Sequence, residues 1–153
     1  MAVKISSTLL RAIPNPATGT ETVLVVEDED VIRKIASRSL EMAGYKVLVA
    51  ASGDEALRIT AEYSGIIHLL LTDVVMPRMG GRALAQKLVK QRPEVRVLFM
   101  SGYADNAFAH HGVIDENTNF IAKPFTGTEL GQKVREVLDG DGTVMSARYA
   151  NKF

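Results

Sequence analysis

Five short apolar, β-prone runs, at Thr22–Val26, Lys46–Ala50, His68–Thr72, Val95–Met100 and Asn119–Ala122, are separated by stretches whose apolar residues recur at helical spacing. This alternation constrains the fold more than any other feature. Strand, helix and strand in succession are joined by right-handed crossovers, which lay the strands parallel in one sheet with helices on both faces. A strand as continuously apolar as Val23–Val26 suits burial from both sides. The expected class is α/β, doubly wound, with five strands.

The helical stretches carry their own punctuation. Ile32, Ile35, Ala36, Leu40 and Ala43 recur at helical spacing, Gly44 supplies a left-handed stop, and Tyr45 leads into the next strand. Ser52-x-x-Glu55 and Thr126-x-x-Glu129 match the capping box, in which hydroxyl and carboxylate satisfy backbone donors reciprocally at a helix start. Leu84, Ala85, Leu88 and Val89 mark another helix, and Leu130, Val134, Val137 and Leu138 give the last one a buried stripe. Tyr103–Ala109 is a shorter helix candidate.

Residues 1–21, with Pro14, Asn15, Pro16 and Gly19 near their end, lack sustained periodicity and read as a leader or linker. Residues 140–153, beginning among the turn formers Asp139-Gly140-Asp141-Gly142, read as a tail, so residues 22–139 are expected to form one domain with no effector attached. The 18 basic and 18 acidic side chains balance, which removes the electrostatic footprint for direct nucleic-acid binding or an anionic membrane. The absence of cysteine excludes disulfides and thiolate chemistry and suits a reducing compartment. No run approaches the roughly 18 apolar residues of a membrane span, and Arg11 interrupts the N-terminal apolar pieces that a signal peptide would need. A cytoplasmic location is expected.

In doubly wound sheets ligands gather beyond the carboxyl ends of the strands. There the sequence places Glu27-Asp28-Glu29-Asp30, Asp73, Ser101-Gly102 and Lys123-Pro124. Each alone has an ordinary explanation as a helix cap, a turn or an exposed loop lysine. Brought to one edge, Glu27, Asp28 and Asp73 crowd three carboxylates, which repel unless a cation offsets them. Mg²⁺ suits oxygen ligands together with a phosphate oxygen. Lys123 adds positive charge and Ser101 a hydroxyl donor, the positioning and charge stabilisation that a phosphoryl group in transfer requires. Asp73 is the expected nucleophile, forming an acyl phosphate.

These residues resemble the receiver domains of two-component response regulators, the family of the chemotaxis protein CheY. The resemblance spans Thr22 to Asp139 through Val25-Val26-Glu27-Asp28-Glu29, Leu71-Thr72-Asp73-Val74-Val75-Met76-Pro77-Arg78-Met79-Gly80-Gly81, Met100-Ser101-Gly102-Tyr103 and Lys123-Pro124-Phe125, in that order. Leu98-Phe99-Met100-Ser101-Gly102-Tyr103-Ala104-Asp105 is similar to receivers at the ends of hybrid sensor histidine kinases. The resemblance implies a flavodoxin-like three-layer sandwich with strand order 2-1-3-4-5. It makes Asp73 the phosphoacceptor, Asp28 a direct Mg²⁺ ligand, Glu27 an acidic partner acting through metal-bound water, and the backbone carbonyl of Val75 a further ligand. Ser101 and Lys123 each bind a phosphoryl oxygen, Lys123 pairs with Asp73 beforehand, and a cis peptide bond precedes Pro124. Phe120 matches the switch aromatic, whose rotamer tracks movement of Ser101. The implied donor is a histidine kinase or histidine phosphotransfer protein, and the implied output is an altered surface over roughly Tyr103–Leu138 where a target protein docks. The chain is expected to be a monomer or a weak homodimer.

Three positions depart from the commoner pattern. Glu27 is longer than the usual aspartate. Val75 and Tyr103 flank the phosphoryl group, and neither readily activates a hydrolytic water, so slow self-dephosphorylation is expected. His110-His111 with Asp115 and Glu116 reads as a solvated loop in preference to a transition-metal site. Among competing functions, an aspartyl-phosphate phosphatase would carry an acidic residue where Val75 stands, and a nucleotide-binding domain needs a glycine-rich loop where Glu27–Asp30 presents carboxylates. The remaining alternative is a receiver-like interaction module that is never phosphorylated.

Overall fold

The computed structural model describes residues 17–102 and 118–140. The helix candidate at Tyr103–Ala109, the His110-His111 pair with Asp115 and Glu116, and most of the proposed leader and tail lie outside the described residues. The elements run β1 (Thr22–Val26), α1 (Asp30–Met42), β2 (Lys46–Ala50), α2 (Gly53–Glu62), β3 (Leu69–Asp73), α3 (Gly81–Gln91), β4 (Arg96–Ser101), β5 (Phe120–Ala122) and α4 (Gly127–Asp139). β3 and β4 are displaced by one residue toward the C-terminus from the apolar runs that announced them. The displacement draws Asp73 and Ser101 into the strands themselves.

All five strands are parallel, in the order β2-β1-β3-β4-β5. Period-two alternation then decides the two faces. Leu24, Val26, Leu70 and Phe99 join Ala56 of α2 and Leu84 and Leu88 of α3 in one core. Val23, Val25, Leu71 and Leu98 join Ala36 and Leu40 of α1 and Leu130 and Val134 of α4 in the other. The structure is thus the expected three-layer doubly wound sandwich. Among the described residues, no helix is long and apolar enough to cross a membrane.

The helix signals act with different degrees of completeness. Gly44 adopts a φ of 101°, and the amides of Gly44 and Tyr45 bond to the carbonyls of Glu41 and Leu40, closing α1 as a Schellman motif. Thr126 and Glu129 form the full capping box of α4. At α2 only half of it forms: the Glu55 amide donates to Ser52 Oγ, while the Glu55 carboxylate accepts from Ala51. Ile35, in helical register with Ile32 but about 140° around the helix from Leu40, is 47% exposed, and Ala36 and Leu40 carry the burial.

Residues ahead of β1 are also anchored. The Gly19 amide donates to Ala43 O, and Arg135 of α4 bonds to the carbonyl of Thr18, the carboxylates of Glu21 and Asp139, and Tyr45 Oη. The guanidinium beside Glu21 holds that carboxyl down to about 2. The N-terminal strand is therefore tied to the last helix at the end of the sheet where β1 begins.

Candidate functional site

Parallel strands that all end at one edge carry the polar residues there together. Glu27 directly follows β1, Asp73 ends β3, Ser101 ends β4 and Lys123 directly follows β5. The register pairs Asp73 with Met100 and Ser101 with Ala122, so the ends of β3, β4 and β5 adjoin in sequence across the sheet. Glu27, Asp73 and Ser101 are buried, whereas Asp28 is exposed.

Lys123 spans the carboxylates. Its Nζ lies 3.2 Å from Asp73 Oδ2 and 3.3 Å from Glu27 Oε2. Its main chain is held as well, because the Lys123 amide donates to Ser101 O at 2.8 Å and the Lys123–Pro124 bond is cis. Burial acts to lower the pKa of Lys123, but the charges of Asp73 and Glu27 and the bonds to both outweigh it and raise it. Burial pushes the Glu27 carboxyl up to about 7; the charge of Asp73 and the neighbouring Asp28 add to this, against the Glu29 amide and Lys123.

Asp73 is placed by its surroundings more than by its own length. Thr72 Oγ1 donates to Asp73 O, the Val74 amide donates to Met100 O, and the Gly81 amide donates to Val74 O. A Cβ on Gly81 would stand 2.0 Å from Asp73 O, so only glycine lets α3 begin this close to the acidic residue. Between them the chain turns tightly: the Met79 amide donates to Pro77 O, and Arg78 takes a φ of 68°.

Carboxylate oxygens of Glu27, Asp28 and Asp73 all lie within 4.8 Å of one another. An all-oxygen set, two of its members buried, fits a hard divalent cation such as Mg²⁺ and offers nothing to a metal that prefers nitrogen or sulfur. Val75 is 49% exposed just beyond Asp73, and Phe120, the first residue of β5, is 43% exposed and so is not an interior packing aromatic. Tyr103 lies outside the described residues. Beside Lys123, an open recess of about 250 Å³ is lined by Ile32, Ile35, Gly102, Lys123, Pro124 and Phe125.

The family model for the response regulator receiver domain matches residues 23–135. The chain belongs to this family. The sensor kinase CckA of Brucella abortus (strain 2308) is 43% identical over 122 residues, which are 80% of this chain and 13% of the kinase. The chain thus spans about an eighth of that relative's length. The receiver domain of the hybrid histidine kinase CckA is 35% identical, with a TM-score of 0.65 over 77% of this chain and 99% of that one. A response regulator receiver domain protein from Clostridium thermocellum is 28% identical, with a TM-score of 0.68 over 78% of this chain and 94% of that one. This receiver domain is a phosphoacceptor module of two-component signalling, similar to a hybrid-kinase receiver as its wording at Leu98–Asp105 implied. Nothing in these relationships favours a module that is never phosphorylated.

Sequence reasoning missed Arg33. Its Nη1 donates to Glu27 O at 2.8 Å, and its guanidinium also bonds the Asp30 carboxylate. The available signal was an arginine one turn inside α1, three residues after an acid and six after Glu27.

Proposed function

We propose that Asp73 accepts a phosphoryl group in a Mg²⁺-dependent reaction, and that the domain comprises residues 22–139. The observation that carries this reading is the bridge from Lys123 to both Asp73 and Glu27 at the mouth of three clustered carboxylates. An Asp73 oxygen forms the new P–O bond as the P–N bond to a phosphohistidine breaks, and the electron pair stays with the imidazole nitrogen. Glu27, Asp28, Asp73 and the carbonyl of Val75 would hold Mg²⁺, which supplies charge neutralisation for the phosphoryl oxygens. Lys123 holds Asp73 before transfer and a phosphoryl oxygen afterwards, and Ser101 donates its hydroxyl to another.

The donor is a histidine kinase or a histidine phosphotransfer protein, and the recess lined by Ile32, Ile35 and Phe125 gives a protein donor an apolar surface beside Lys123. Movement of Ser101, tracked by Phe120, alters the surface from β5 into α4 for a target, or the phosphoryl group passes onward in a relay. The chain catalyses its own phosphorylation without turning over an external substrate. It works in the cytoplasm as a monomer or weak homodimer, without contacting nucleic acid or membrane. With Val75, and with Tyr103 as the second flanking residue, water activation is poor and the phosphorylated form is long-lived.

Intact mass after incubation with acetyl phosphate tests this. One phosphoryl group is expected with Mg²⁺, none with EDTA, and decay over minutes or longer once donor is removed. Equal labelling with EDTA contradicts the metal-dependent reading, and a lifetime of seconds contradicts the role given to Val75.

A further inference from the structure

Asp28 poses a placement problem. It is the exposed member of the carboxylate cluster, and among the described residues it joins no ion pair. A short side chain at the surface of a loop has freedom to turn away from Glu27 and Asp73, and like charges encourage it to do so. Its side chain shares a hydrogen bond with Glu27, and the rest of its placement comes from the backbone on which it stands.

Both peptide units flanking the Asp28 Cα are held. On the far side, the Glu29 amide donates to Glu27 Oε1 at 3.1 Å. On the near side, the Glu27 carbonyl accepts from Arg33 Nη1 at 2.8 Å. The Glu27 amide is itself bonded to Ala50 O at 3.2 Å, which continues the β1–β2 ladder past the end of the strand. Arg33 is well suited to its task. Its own amide donates to Glu29 O at 3.0 Å, its side chain is 18% exposed, and Asp30 holds the other arm of the guanidinium. A bond from a charged donor to a buried carbonyl is stronger than a neutral one.

We propose that Arg33 is a positioning residue for the cation site: by holding the Glu27 carbonyl it fixes the peptide plane before Asp28 and aims that carboxylate at Glu27 and Asp73. The inference rests on the metal reading of the cluster given above. It also runs against simple electrostatics. A cation beside a metal site repels the metal, so deleting the charge of Arg33 should tighten Mg²⁺ binding if charge were its only contribution. A positioning role demands the opposite sign.

Calorimetric titration of the metal-free full chain with Mg²⁺ separates the two, with thermal unfolding of the same metal-free samples confirming that each variant is folded. Arg33→Ala is expected to weaken Mg²⁺ binding by about tenfold, the usual scale for removing a group that orients a ligand. Arg33→Lys, which keeps a charge and one donor within reach of Glu27 O, recovers part of that loss, and its milder character keeps the comparison available if Arg33→Ala does not fold. Affinity that is unchanged or tighter in a folded Arg33 variant overturns the proposal. If the wild-type chain itself takes no Mg²⁺, the metal reading of the cluster fails first, and the role given to Arg33 fails with it.

Discussion

At the scale of single residues, the site is defined by what burial does to charge. Glu27 is fully enclosed, and its carboxyl is raised from an ordinary 4.5 to about 7. In the metal-free protein the folded chain therefore holds a proton that the unfolded chain releases. That contribution is complete below about pH 4.5 and is lost as pH rises through about 7. Chemical denaturation between about pH 4 and 8 should show the decline in wild type and its absence in Glu27→Gln. Mg²⁺ reverses the preference, since it binds the ionised cluster. Binding near pH 6 should release protons and strengthen with pH, which titrations in buffers of different ionisation enthalpy will measure. The identities of Asp73, Asp28, Ser101 and Lys123 were legible because each sits at the end of an apolar run, where topology alone decides proximity. Arg33 was not, since its partner is a main-chain carbonyl, and a carbonyl leaves no trace in the residue pattern.

At the scale of elements, α1 shows where periodicity stops being informative. Ile35 follows Ile32 at helical spacing, yet it stands about 140° around α1 from Leu40; Leu40 is fully buried and Ile35 is 47% exposed beside the recess at Lys123. Spacing marks an apolar stripe wherever it faces, and only the neighbouring elements decide whether the stripe meets the core or a partner. Ile35→Asp should therefore slow transfer from a phosphohistidine protein by about tenfold, the effect of losing one modest interface anchor, while leaving phosphorylation by acetyl phosphate unchanged. Equal slowing with both donors would place the damage in the chemistry. The helix caps divide in the same instructive way. Thr126 and Glu129 form the complete box, and Thr126→Ala should cost about 1 kcal/mol in denaturant unfolding. Glu55 lies in the identical sequence pattern but turns to the Ala51 amide, a choice between neighbouring donors that the pattern does not encode.

At the scale of the molecule, strand order turns four unremarkable sequence fragments into one site. The alternation of strands and helices announced a parallel sheet to within a residue at most boundaries, and the order β2-β1-β3-β4-β5 sets the end of β1 beside that of β3, with Lys123 reaching both from β5. Attachment of the chain ahead of β1 was not legible, because the bonds from Arg135 to Thr18 and Glu21 join residues more than a hundred positions apart. On the proposed function, this assembly directs a phosphoryl group to Asp73 and to no other carboxylate of the cluster. Reductive trapping tests it most directly: the chain is phosphorylated in Mg²⁺, treated with borohydride, which reduces an acyl phosphate to the alcohol, and mapped by peptide mass. Homoserine is expected at position 73 and at no other acidic residue. Reduction at Glu27 or Asp28, or labelling that persists in Asp73→Asn, would contradict it.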